Sequence, residues 1–147
     1  MVGKVGIITP ELLAAAGTEQ ALQSAYFCWL TPLALKPGYE LLKLIYAVPS
    51  GGERAKIVGT MMKSAGVRKG VWDVALAFPR GSHHYGYLEF KRPKYRNTAR
   101  GGLSPEQLEF GKSQLELGAY MHVVYGWEEA RDLTLAYFGL GPYIRGI

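Results

Sequence analysis

The chain has 147 residues, 48% of them hydrophobic and 20% charged, which suits a single domain and excludes a disordered or low-complexity protein. Seventeen basic against twelve acidic residues leave a net charge of +5 and a pI near 9.3, a balance that favours an anionic partner such as nucleic acid. One cysteine, Cys28, rules out an internal disulfide framework, and no stretch reaches the ~20 apolar residues of a membrane span.

The start, "MVGKVGIITPELLAAAG", is interrupted by Pro10 and Glu11 before it becomes an adequate signal sequence. The expectation is a soluble, cytoplasmic protein. Cys28 is expected to be a small buried residue between Phe27 and Trp29.

Thr9 followed by Pro10 is an N-cap and first-turn pair, so 10–16 reads as a short helix stopped by Gly17. Thr18 caps a second helix, on which Leu22, Ala25, Tyr26, Trp29 and Leu30 recur at helical spacing and which Pro32 and Pro37 end. "LLKLIYAV" (41–48) reads as a strand and "PSGG" (49–52) as the turn that closes it. A helix is predicted over 53–65, with Gly66 as its stop. Strands follow over 71–78 and 85–92, joined by "PRGSHH". "YRNTARGG" (95–102) is a basic loop. Ser104 then stands as N-cap with Gln107 three residues on, opening a helix that ends at Gly118. A strand over 120–125 and a helix over 127–138 complete the core. Its order, αβαββαβα, predicts an α/β (α+β) fold: one domain, residues 1–147 with its core at about 18–138, in which helices cover a mixed sheet.

Three charges interrupt the apolar run "VWDVALAFPRGSHHYGYLEFKRPK" (71–94): Asp73, Glu89 and Lys91. Alternate strand residues share a face, so Glu89 and Lys91 point one way with Tyr87, while Leu88 and Phe90 point into the core. Hairpin geometry sets Asp73 opposite the Glu89–Lys91 end, at one edge of the sheet. Two converging carboxylates repel unless something positive lies between them. A hard divalent cation, Mg²⁺ or Mn²⁺, answers that need, with the Phe90 backbone carbonyl as a third ligand. Lys91 beside it can orient a water or offset charge developing on a phosphate. These are the parts of phosphodiester hydrolysis, although an ordinary cross-strand ion pair has the same spacing.

D-x₁₅-E-x-K on two adjacent strands with a helix beyond resembles the PD-(D/E)XK nuclease superfamily. Within it, Glu19 to Tyr137 resembles the VRR-NUC family: "VPSGGER" (48–54), "GVRKGVWDVALAF" (66–78), "YGYLEFKRP" (85–93) and "LSPEQLEF" (103–110) occur in that family's order. The resemblance implies a restriction-endonuclease-like fold, Asp73 and Glu89 as metal ligands, Lys91 as catalytic lysine and Gln107 as an active-site helper. Glu19 stands where relatives complete the metal site, with Gln23 on the same helical face. Small stand-alone relatives, many from phages, act as homodimers on branched DNA such as Holliday junctions, and the same is expected here. The sequence departs from the pattern at Trp72, where relatives usually carry proline, and at Ser50, often asparagine.

Gln107 has a second reading as N3 of a capping box. Arg92, Lys94, Tyr95, Arg96 and Arg100 follow the E-x-K strand directly and are expected to track DNA phosphates. His83 and His84 read as turn residues and His122 as a hydrogen-bonded core histidine. The competing functional readings are a DNA-binding module without catalysis and a nuclease of linear duplex or flaps.

Overall fold

The computed structural model describes residues 6–49 and 63–143. Helix α1 (Pro10–Ala14) begins where the Thr9 hydroxyl accepts the Leu12 amide, and Thr18 caps α2 (Glu19–Ala34) in the same way through Ala21. The buried side of α2 is Leu22, Ala25, Tyr26, Leu30 and Ala34. Pro32, expected to end this helix, lies inside its last turn. A proline so near the C-terminus removes one amide donor after most of the ladder is complete, so the helix runs on to Ala34. Cys28 is only half-buried, with its Sγ 3.9 Å from the Ile8 carbonyl.

The strand expected over 41–48 is mostly something else. Glu40–Leu44 is a 3-10 turn that buries Leu42 and exposes Leu41 and Leu44, and strand β1 is only Ile45–Ala47. A short apolar run fits either pattern. The turn and helix predicted over 49–52 and 53–65, with Ser50, fall largely outside the described residues.

Strands β2 (Val74–Leu76) and β3 (Gly86–Phe90) form a hairpin whose turn is closed by the Arg80–His83 bridge. Pro93–Tyr95 is a 3-10 turn, and α3 (Pro105–Glu116), β4 (Tyr120–Val124) and α4 (Trp127–Phe138) follow. The sheet order is β1-β2-β3-β4, antiparallel across β1, β2 and β3 and parallel between β3 and β4. Since β2 and β3 are the central pair, the charged residues lie at the ends of central strands, not at one edge of the sheet.

One face of the sheet carries the main core: Val74, Leu76, Leu88, Phe90 and Val124 pack against α2 and α4. Two of its hydroxyls answer each other, Tyr26 Oη lying 2.7 Å from Thr134 Oγ1, and the Tyr137 hydroxyl donates to the Phe78 carbonyl. The other face is thinner. There Trp72, Leu103, Ala119 and Met121 are buried, with Tyr87, Leu108 and Phe110 packed around them. Among the described residues no helix is long and apolar enough to cross a membrane.

Candidate active site

Extending the Val74–Leu88 register by one pair sets Asp73 beside Glu89. Each strand is then held by the other's carboxylate. The Asp73 amide donates to Glu89 Oε2 at 2.9 Å, and the Phe90 amide donates to Asp73 Oδ2 at 3.0 Å. Side chains here take the place of the main-chain ladder, which is why at this end β2 begins only at Val74 and β3 stops at Phe90, inside the predicted 71–78 and 85–92.

As alternation required, Glu89 and Lys91 share the α3 face with Tyr87, while Leu88 and Phe90 enter the main core. Both charges are deeply placed, Glu89 at 1% and Lys91 at 8% exposure. Lys91 Nζ lies 3.5 Å from Glu89 Oε1 and 3.9 Å from Glu19 Oε1.

Burial, then the charge of Asp73, pushes the Glu89 carboxyl up to about 8 in spite of Lys91 and the Asp73 amide. Burial also raises Asp73, and the nearby Glu19 charge adds to that shift. Two hard oxygen donors side by side, whose joint ionisation one lysine does not offset, form a donor set that suits a divalent cation of the Mg²⁺ type, which needs few carboxylates. Among the described residues no group of three or more His, Cys, Asp or Glu side chains is gathered for an ion. Glu19 joins the pair through Lys91 instead.

Gln107 caps α3 and reaches Glu89 at the same time. Its Oε1 accepts the Ser104 amide at 2.9 Å, completing the capping box, and its Nε2 donates to Glu89 Oε1 at 2.7 Å. The cap needs an acceptor, so it turns the amide to present its NH₂ to the carboxylate.

Past β3, Arg92, Lys94, Arg96 and Arg100 are exposed and Tyr95 is half-buried. The loop is firmly built. Thr98 Oγ1 donates to the Tyr95 carbonyl at 2.7 Å and Arg100 Nε to Leu103 at 3.1 Å. Gly102 has φ +88°, and an added Cβ would lie 2.9 Å from Tyr95 Cβ and 3.2 Å from Lys91 Cδ. Lys94 sits over the Tyr95 ring, whereas Arg96 pairs with Glu129 and lies over Tyr125, which ties the loop to α4. A cleft of about 580 Å³, lined by Glu19, Tyr95, Thr98, Arg100, Gly102 and Leu103, opens beside Lys91.

The histidines lie away from the carboxylates. His83 Nδ1 is 2.9 Å from the Gly118 carbonyl and His84 Nε2 is 2.8 Å from the Tyr143 hydroxyl. His122 is half-buried with its ring against Tyr120, and desolvation lowers its pKa. Sequence reasoning gave Trp72 no part in the site, yet it is 4% exposed and its indole donates to the Gln107 carbonyl at 2.9 Å. The available signal was a bulky N–H-bearing ring beside Asp73 and a glycine, Gly111, inside the facing helix.

No family model matches the chain, and no curated protein matches it. Among solved structures, one described as a VRR_NUC domain protein superposes with a TM-score of 0.66, at 21% identity, over 86% of this chain and 93% of its own. The mixed four-stranded sheet flanked by helices is thus a VRR-NUC, restriction-endonuclease-like fold.

Proposed function

We propose that the chain is a Mg²⁺- or Mn²⁺-dependent nuclease that hydrolyses DNA phosphodiesters. The observation that carries this reading is the Asp73–Glu89 carboxylate pair with the Lys91 amine 3.5 Å from Glu89, set on a VRR-NUC fold. Asp73, Glu89 and the Phe90 carbonyl would hold the ion, and Glu19 would become a further ligand by leaving its pair with Lys91. When bound, the ion supplies a more acidic water and polarises the phosphate. Lys91 orients the attacking water and offsets charge on the phosphorane-like transition state. Gln107 keeps Glu89 aimed, because its NH₂ is already committed to Oε1. Arg92, Lys94, Tyr95 and Arg100 hold the flanking backbone, and Arg96 holds their loop in place.

Branched DNA is the proposed substrate, cut by a homodimer whose two sites meet two strands. The test is a cleavage panel of four-way junction, flap, nicked and linear DNA with Mg²⁺, Mn²⁺ or EDTA, alongside sedimentation of the free protein. Metal-dependent cutting of junctions ahead of linear duplex by a dimer is the expected result. Binding with no cutting in either metal would instead make the chain a DNA-binding module.

A further inference from the structure

We propose that Trp72 is a positioning residue for the carboxylate pair, acting through the first turn of α3; its catalytic consequence rests on the nuclease reading, but its structural part does not. Glu89 is gripped on both oxygens. Oε2 accepts the Asp73 amide, and Oε1 accepts the Gln107 side chain. The first grip is built into the strand pair. The second comes from a different element and works only if α3 is docked at the right height.

Three contacts set that height, all from residues 70–72. Gly70, at φ +88°, lies so close that an added Cβ would sit 2.6 Å from the Glu106 carbonyl oxygen. The Trp72 indole N–H donates to the Gln107 main-chain carbonyl at 2.9 Å. Gly111, one turn further on, lies against the same ring, and a Cβ there would be 2.6 Å from Trp72 Cζ2. A glycine inside a helix is unfavourable by itself, and here the indole accounts for it. The neighbours Trp72 and Asp73 thus fix the two oxygens of Glu89, one through Gln107 and one directly. Shape alone would need only a large apolar residue at 72, whereas the indole also donates to the main chain of the residue carrying the amide.

Trp72→Phe keeps the ring and removes the N–H, Gly111→Ala displaces the ring, and Leu108→Ala trims the same packing layer without touching the hydrogen bond. The readout is the ¹⁵N spectrum and solvent exchange of the Gln107 side-chain amide in metal-free protein without DNA, its signals identified with Gln107→Glu. In wild type and Leu108→Ala these signals are displaced and exchange slowly. In Trp72→Phe and Gly111→Ala they move toward free-glutamine positions and exchange faster, while turnover falls about 10- to 100-fold with KM within about twofold. If both Trp72→Phe and Gly111→Ala keep the wild-type amide signals while melting lower, as Leu108→Ala does, Trp72 is packing only and the proposal is wrong. Should either variant fail to fold, the other decides. A wild type that cuts nothing overturns the nuclease reading and leaves the amide result standing.

Discussion

The two faces of the sheet solve different problems. Toward α2 and α4 the contacts are large and apolar, and the Tyr26 and Thr134 hydroxyls satisfy each other. Toward α3 the layer is thin, and a carboxylate and an amine are buried beside four apolar residues. Strand β3 serves both. Leu88 and Phe90 anchor the first face, while Glu89 and Lys91, interleaved with them, equip the second. A chemically costly group can be buried here because its neighbours in sequence have already secured the strand on the opposite side.

This contrast breaks first at Lys91 and Asp73. Lys91→Ala and Asp73→Asn should each lower cleavage by about 10²- to 10³-fold or more, with DNA binding retained in a gel-shift measurement. Loss of binding together with cutting would show that the two faces are not separable in this way. Leu88→Ala is the mirror case. It should cost roughly 2–5 kcal/mol by urea unfolding, with cleavage per folded molecule unchanged. A smaller effect sharpens the picture of the basic loop. Arg100→Ala should weaken DNA binding and flatten its salt dependence by about one phosphate contact. Arg96→Ala should act mainly through the partly exposed Glu129 pair, within about 1 kcal/mol of stability. Equal effects of both on the salt slope would assign Arg96 to DNA after all.

The smallest effect is a pH response on the α2–α4 face. His122 there faces Glu129, whose charge works against the shift, and His83, which adds to it, and burial dominates. Its folded pKa is therefore below the unfolded value. Its share of stability is complete above about 6.5, and it falls away as pH drops through the folded pKa. Protonation of Glu89, raised to about 8, works the other way between pH 7.5 and 5, so the His122 share is read as a difference: on lowering the pH over that range, His122→Phe should lose less, or gain more, in thermal melting than wild type.

The two faces of β3 were legible because strand periodicity admits only two sides: once Leu88 and Phe90 are inward, Glu89 and Lys91 must be together. Helix α4 was equally legible over 127–138, bracketed by Gly126 and Gly139. The run 41–48 was not, since Leu41, Leu42 and Leu44 satisfy a strand and a 3-10 turn equally, and only Leu42 turns out to be buried. Gln107 resisted a single assignment because its two readings are compatible: one end of the amide caps the helix and the other holds Glu89. Trp72 stood out only as a departure from the family's usual proline, because its partner is a main-chain carbonyl, 35 residues away, and carbonyls leave no mark in a sequence.

The Tyr26–Thr134 bond joins positions 108 residues apart, and such remote pairings are met last, after the entropy of closing the intervening loop. A polypeptide still on the ribosome, with Thr134 inside the exit tunnel, leaves the inner side of α2 uncovered and Glu19 without a fixed station near Lys91. Closure of this side of the sheet is thereby tied to α4: a partly made copy that lacks it has nothing to cover the inner side of α2.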